Sequence, residues 1–243
     1  MITAKQLDQR NRNELAFLNV PGLGYSGAEN GEALCTCPPA FRDDNIENIR
    51  ATISSARLAN LITATAEGPL ATPLPLFLDP TEGERGVLYG HLAKANPQWR
   101  AAPIGEALAI FMGPEAYVTP SWYATKQETE KVVPTWNYIA VHAYGPVEFF
   151  EDNERLLYVV TRLTNIHEGS RVTPWSVSDA PADFIGAQLC GIVGIRIPVT
   201  KFEGKRKMSQ NRPLADRIGV ATGLAASQEP RDQEVSIMVP TLA

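Results

Sequence analysis

A mainly β fold with peripheral helices, an α+β arrangement whose strands close into a barrel, is the architecture this sequence predicts. Short β-prone runs bounded by glycine and proline recur from Leu61 to Val199, and few segments of helical period interrupt them. A chain of 243 residues with 44% hydrophobic and 20% charged side chains can bury one sizeable core, so a single main domain is expected.

In chain order, residues 1–34 are polar and carry Pro21, Gly22, Gly24, Gly27 and Gly31, which marks an appended N-terminal extension ahead of a domain at 35–224. Asp44 and Glu47 have capping-box spacing, and Ile46, Ile49, Ile53 and Ala56 follow at intervals of three and four, so a helix is predicted there. From Leu61 the period shortens. Leu61–Thr65, Leu70–Leu78 and Val87–Leu92 read as three consecutive strands of an antiparallel meander, separated by Gly68-Pro69 and the Asp79–Gly86 turn. Further strands are expected at Ala107–Phe111, Ala116–Val118, Val132–Phe150 and Gly191–Val199. Glu151–Glu168 carries Leu156, Leu157, Val160 and Leu163 behind a capping Asp152 and reads as an amphipathic helix. A shorter helix should follow Asp179-Ala180-Pro181, and one from Ala215 should give way to a polar tail at 225–243.

The net charge of −5 and pI near 5.3 provide no overall positive field, so direct DNA binding is disfavoured. No run approaches the roughly 18 to 20 apolar residues of a membrane span, and the N-terminus lacks a secretory pattern, so a cytoplasmic protein away from membranes is expected. Cys35, Cys37 and Cys190 cannot form a closed disulfide framework, and the spacing of the first two is poor for zinc, so no metal is expected and the thiols read as reduced. A reactive Cys35 or Cys37 ahead of Pro38-Pro39 is the alternative.

Walker, GxGxxG, GxSxG and HExxH signatures are all absent. Three constellations carry polar and aromatic groups where a barrel presents side chains to a ligand. In HLAKANPQW a strand runs into a turn that gathers His91, Lys94 and Asn96, a cation and donors suited to a phosphate, with Trp99 as an apolar wall or a core residue. In KVVPTWNYIAVHAYG, strand alternation puts Thr135, Asn137 and Ile139 on one face and Trp136, Tyr138 and Ala140 on the other. Asn137 is informative because an amide inside a strand needs partners; a cross-strand hydrogen bond is the alternative to a ligand. In GKRKMSQNR, the basic Lys205, Arg206, Lys207 and Arg212 flank Ser209, Gln210 and Asn211, as a solvated face or as a grip on phosphate and ribityl hydroxyls. A haem reading would need His91 or His142 as axial ligand.

Taken together, CPPAFRDDN, ATPLPLFLD, GHLAKANPQW, GPEAYVTPSWY, KVVPTWNYIAVHAYG, PWSVSDAPADF and KMSQNR, in this order, closely resemble the PaiB-like FMN-binding family over about Cys35 to Leu224. The resemblance implies an FMN-binding split β-barrel, homodimeric, with the cofactor FMN bound between subunits. It places His91, Lys94, Asn96 and Trp99 on the block that holds the FMN phosphate and its adjoining wall. Thr135, Trp136 and Asn137 fall on the strand near the flavin, and Lys207, Ser209, Gln210 and Asn211 on the block that closes the site. Cys35 and Thr36 stand where the family has Met-Tyr, Arg206 where tryptophan is usual, and Lys94 where arginine is common. The function implied is a flavin-dependent regulator or sensor acting indirectly on transcription. The alternative is an FMN-dependent oxidoreductase that uses NAD(P)H and a small acceptor, with Tyr138 or His142 as acid or base if either faces the ring.

Overall fold

The computed structural model describes residues 37–242, so the N-terminal extension and the substitutions at Cys35 and Thr36 lie outside the described residues. Among the described residues, ten strands form two antiparallel sheets. The first has the order β1 (Arg42–Asp43), β10 (Lys201–Lys207), β7 (Thr135–Gly145), β6 (Ala107–Val118), β2 (Ala59–Thr65), β3 (Gly68–Leu74). The second has the order β4 (Leu76–Asp79), β5 (Val87–Ala93), β9 (Ile192–Pro198), β8 (Glu148–Phe150). Six α-helices accompany them among the described residues: α1 (Ile46–Ser55), α2 (Thr125–Thr129), α3 (Asn153–Glu168), α4 (Ala182–Leu189), α5 (Leu214–Ala225) and α6 (Pro230–Ser236).

Inward-facing residues of both sheets meet in a central core. Leu61, Ala109, Phe111, Val141 and Ala143 from the first sheet pack against Leu88, Leu92, Ile195 and Ile197 from the second, and Ile49 and Ile53 of α1 close one side. A Cβ on Gly145 would lie 2.1 Å from the Pro198 carbonyl oxygen, so only glycine lets the end of β7 pass β9. Helices α3 and α4 cover the outer face of the second sheet, with Leu156, Val159, Leu163 and Leu189 packed on Phe77, Val87, Tyr89 and Phe150. A further core beyond the far end of β6 and β7 joins Ala116, Val118 and Ile139 to Tyr123, Met208, Val220, Leu224, Val235 and Val239.

Several expectations change in detail. The cap of α1 is Asn45, whose Oδ1 accepts from the Glu47 and Asn48 amides at 2.8 and 3.2 Å, while Asp44 binds Arg42 at 2.9 Å. The capping-box spacing of Asp44 and Glu47 therefore placed the start one residue early. The expected meander is two hairpins in different sheets, β2–β3 and β4–β5, because the apolar run at 70–78 breaks at Pro75 and crosses between layers. The runs at 107–111 and 116–118 are one strand, β6, with a register shift between Met112 and Glu115 around Gly113-Pro114. The long 132–150 segment divides into β7 and β8, again in different sheets. Part of the supposed charge run, Lys205 to Lys207, is the end of strand β10 paired to β7. In α3 the cap is Asp152, accepting from the Arg155 amide at 2.9 Å, as expected; Leu157 is exposed, and Val159 holds the buried position.

The polar tail is also corrected in part, since residues 230–236 form α6 and bury Val235 completely. Placing an unpaired carboxylate at that position should be strongly destabilising. We expect Val235→Asp to lower the unfolding free energy by at least about 3 kcal/mol, read as a shift in the urea midpoint. A midpoint unchanged from wild type would mean that this helix does not dock on the core.

Candidate functional site

Where the chain leaves β5 it turns through Lys94 to Asn96 into a short 3-10 helix at Pro97–Trp99. The Lys94 amide donates to the Gly191 carbonyl at 2.8 Å and the Asn96 amide to the Ala93 carbonyl at 2.9 Å. Asn96 caps this turn, its Oδ1 accepting from the Gln98 amide at 2.9 Å, while its Nδ2 donates to the Thr72 hydroxyl at 2.9 Å. That hydroxyl in turn donates to Gln98 Oε1 at 2.6 Å. Gln98 is 1% exposed, and its Nε2 donates to Thr63 Oγ1 at 3.0 Å and the Leu61 carbonyl at 3.2 Å. The network pins the β2–β3 hairpin to the loop after β5 and lines a cleft of about 320 Å³ with Leu70, Ala71 and Pro97. Thr72 and Gln98 were not among the residues singled out from the sequence. The available signal was a polar position at Thr72 on an otherwise apolar inward face, register-paired with the buried Leu61.

Three predicted residues surround this group in other ways. His91 is half-buried on β5, its Nδ1 buried without a partner, and burial lowers its pKa, which keeps the ring neutral. Lys94 Nζ makes an ion pair with Glu151, both side chains substantially exposed. Trp99 packs against the central core and donates from Nε1 to the Lys94 carbonyl at 3.0 Å, with the Arg100 guanidinium 4.8 Å from its ring centroid. It braces the loop and is absent from the residues lining the cleft.

The second group forms where the beginning of β7 meets the end of β10. Asn137 is completely buried. Its Oδ1 accepts from the Ser209 hydroxyl at 3.0 Å, and its Nδ2 is buried without a hydrogen-bond partner. Ser209 sits at φ 60, a left-handed conformation that disfavours a side chain, so the bond to Asn137 holds a strained turn. Lys207 Nζ donates to Thr135 Oγ1. Burial first, then the positive charges of Lys205 and Arg212, lower the Lys207 pKa. Gln210 uses both ends of its amide on backbone: Oε1 accepts from the Met208 amide at 2.6 Å, and Nε2 donates to the Arg206 and Ala40 carbonyls, the latter at 3.0 Å. Asn211 is exposed at the tip of this turn. Trp136 is 52% exposed on the opposite face of β7, edge-on to Tyr117 with centroids 5.9 Å apart.

The structure therefore gathers the predicted residues into two groups. Asn137 pairs with Ala116 near one end of β6. Thr63 follows Ile62, which pairs with Leu108, so it is level with Ala107 and Gly145 at the other end. Asn137 and Gly145 are eight residues apart along β7, roughly 26 Å at about 3.3 Å per residue. Tyr138 and His142 alternate onto the face of β7 opposite Asn137.

The donors present suit a flavin nucleotide. Asn137 Nδ2 is a buried N–H donor in need of an acceptor such as a flavin carbonyl or ring nitrogen, and the Lys94 ammonium at the turn after β5 is a cation suited to a phosphate. Among the described residues no His, Cys, Asp and Glu group could hold a metal ion, and no helix is long and apolar enough to cross a membrane. Two antiparallel sheets sharing one core, with helices outside them, define the class as a mixed α+β fold of split-barrel type. A family model described as "Putative FMN-binding domain" matches residues 36–201. The chain is 32% identical over 200 residues to the protease synthase and sporulation protein PAI 2 of Bacillus subtilis, covering 82% of this chain and 93% of that one. It is 34% identical over 200 residues to an uncharacterized protein of Emericella nidulans, covering 67% and 80%. A solved structure of a conserved hypothetical protein from Mycobacterium tuberculosis shares the fold with a TM-score of 0.50 at 13% identity, over 74% of this chain and 94% of that one. The chain belongs to the PaiB-like FMN-binding family, and FMN is the cofactor of that family.

Removal of the Gln98 side chain would leave the Thr63 and Thr72 hydroxyls and the Leu61 carbonyl short of partners. Gln98→Ala should destabilise the fold by about 2–4 kcal/mol, measured by urea unfolding; a loss below about 0.5 kcal/mol would mean that solvent replaces the network.

A second expectation concerns pH. The folded-state pKa of His91 lies below its unfolded value of about 6.5, so the unfolded chain binds the proton more readily. The stability from a neutral His91 is then present above about pH 6.5 and lost as the pH falls below it. His91→Phe should flatten the decline in urea midpoint between about pH 6.5 and 5; a slope equal to wild type would assign that decline to other groups.

Proposed function

We propose that this protein is a homodimer that holds FMN between its subunits, one end of each flavin on the Asn96 group of one protomer and the other on the Asn137 group of its partner. The observation that carries this reading is the placement of the two groups at opposite ends of one sheet, farther apart than a single FMN can span. The outer face of that sheet supports it. Met112, Tyr117 and Trp136 are exposed there beside half-buried Leu108, Ile110 and Tyr138, an apolar surface of the kind a two-fold interface covers.

In this arrangement Lys94 and Asn96 hold the phosphate, with His91 and Trp99 shaping the loop from behind. The exposed Lys94–Glu151 pair contributes at most about 1 kcal/mol, so the lysine can turn to a ligand at small cost. Asn137 orients the flavin through Nδ2, fixed by Ser209, while Thr135 and Lys207 set the polarity beside it and Trp136 contributes from the interface side. Gln210 and Asn211 shape the closing turn. FMN, when bound, supplies the capacity to accept a hydride or single electrons.

The role that fits best is a flavin-dependent sensor with an indirect effect on transcription. Tyr138 and His142, the acid–base candidates of β7, stand on the face away from Asn137, and no described residue beside Asn137 is an evident proton donor to a substrate. The acidic composition supports an indirect effect over direct DNA contact. An oxidoreductase that takes hydride from NAD(P)H is the second reading, favoured by the family's redox cofactor.

Two experiments test these statements. Co-expression of differently tagged Asn96→Ala and Ser209→Ala chains should give homodimers that lose flavin and heterodimers that regain about half the wild-type content, since each heterodimer keeps one intact site of two. Heterodimers as empty as the homodimers, or a monomer that retains FMN, would refute the shared site. Anaerobic NADH added to the FMN-loaded protein should leave the flavin absorbance unchanged if the role is sensing; rapid bleaching would establish the reductase reading in its place.

A further inference from the structure

We propose that the cleft between α3 and α4 is a binding site for a small organic amine with an aromatic or branched apolar body, separate from the two groups assigned to the flavin and independent of the FMN reading. The cleft holds about 890 Å³, within the roughly 300–1,000 Å³ typical of small-molecule sites. Its floor is continuous with the core on the second sheet, since Leu189 is buried there and Ile185 packs beside it. Leu157 and Val177 extend the apolar lining. Along α3, Glu154, Leu157, Thr161 and Asn165 follow one another at intervals of three and four and so share one face of the helix. That placement accounts for Leu157, which is 40% exposed although apolar: it lines the cleft instead of filling the core.

Two further observations point to a ligand and to its charge. Gly186 lies on the cleft wall in the interior of α4. Glycine inside a helix is disfavoured relative to alanine, and it is usually required where a neighbour presses close or the backbone turns left-handed. Neither applies here, because the backbone is helical and a Cβ at this position would meet nothing within 4 Å. What the missing side chain leaves is room in the cleft. The second observation is the carboxylate of Glu154, the only ionisable residue of the lining. It has no ion-pair partner among the described residues, whereas the nearby Glu148, Glu151 and Glu168 are paired with Arg155, Lys94 and Arg171. A free carboxylate is tolerated in the first turn of a helix while the cleft is empty. With no cation in the lining, an anionic ligand would meet only repulsion, and an uncharged one would leave Glu154 unused. An ammonium group gives it a charge-assisted partner, while the Thr161 hydroxyl and the Asn165 carboxamide can orient the rest of the ligand.

The test titrates the full-length protein, with and without added FMN, with phenethylamine in a calorimeter. Phenethyl alcohol and hydrocinnamate serve as comparison probes, carrying a similar ring with no charge and with a negative charge. Phenethylamine should bind saturably, the alcohol about fivefold more weakly, as loss of one exposed ion pair implies, and hydrocinnamate not measurably. Glu154→Gln should weaken phenethylamine about fivefold and leave the alcohol unchanged, a split that a glutamate serving only the helix would not produce. Gly186→Leu should abolish binding of both with the circular dichroism spectrum intact. Gly186→Ala, which carries less risk of misfolding, should raise the unfolding temperature and weaken binding in the same direction. No saturable binding to the full chain, as when residues 1–36 or a second copy occupy the cleft, would overturn the proposal. So would equal affinity for all three probes, affinity indifferent to both Glu154→Gln and Gly186→Ala, or displacement of phenethylamine by FMN. If the protein retains no flavin, the proposed function fails, whereas amine binding that depends on Glu154 still upholds this site.

Discussion

The carboxamide of Gln98 is the fastening on which the cleft at one end of the barrel depends. It lies where the strand β5 of one sheet hands over to a loop, and it reaches across to the β2–β3 hairpin of the other sheet, binding Leu61, Thr63 and Thr72 at once. A buried amide left unpaired costs about 1–3 kcal/mol, so the cheapest state of this side chain holds both layers at one separation. The Thr72 hydroxyl then has one direction left in which to accept, and Asn96 Nδ2 fills it. The position of the loop after β5 is thus an outcome of core satisfaction, and the loop is ordered before any ligand arrives.

At the other end of the same sheet the same chemistry is left incomplete. Asn137 is as buried as Gln98, but only its carbonyl oxygen is engaged. Ser209 makes that bond from a left-handed backbone position, so the strain of the turn and the missing partner of the amide fall within a few atoms of each other. A sequence selected for stability alone would place an apolar residue at 137, in line with Ile139 and Val141 on the same face. Retaining a half-satisfied amide there makes sense if another molecule completes it, and the family to which the chain belongs supplies one.

What the sequence reveals and what it hides divide along the range of the interactions. Period-two alternation exposed most strands, and a local cap marked α3, because each is decided by neighbours a few residues away. The change of sheet at Pro75 and the merging of two short runs into β6 leave no such mark, since both depend on which layer a strand joins after the chain has folded. Strand β10 was hidden for a related reason. Arg206 points inward to Asp43, which lies 163 residues earlier, so a partly buried ion pair reads locally as one more charge in a basic run. The same limit applied to the site. Family blocks located Asn96, Asn137 and Ser209, but nothing local distinguishes Asn137, with a free donor, from Gln98, with none.

Arg206 and Lys94, the two departures from the family pattern inside the described residues, take different meanings once their partners are visible. Arg206 is engaged with Asp43 and ties β10 to β1, which makes it part of the scaffold around the closing turn. Lys94 keeps a charge at the loop, loosely held by Glu151. Neither conflicts with an anionic ligand, although the chain as a whole is acidic. The net charge of −5 belongs to the chain as a whole, and salt confines the influence of any one charge to about 8 Å under physiological conditions. Within that radius the local inventory decides. Around Lys207 the charges that act are positive, although the acidic chain as a whole offers no extended positive field to a nucleic-acid backbone.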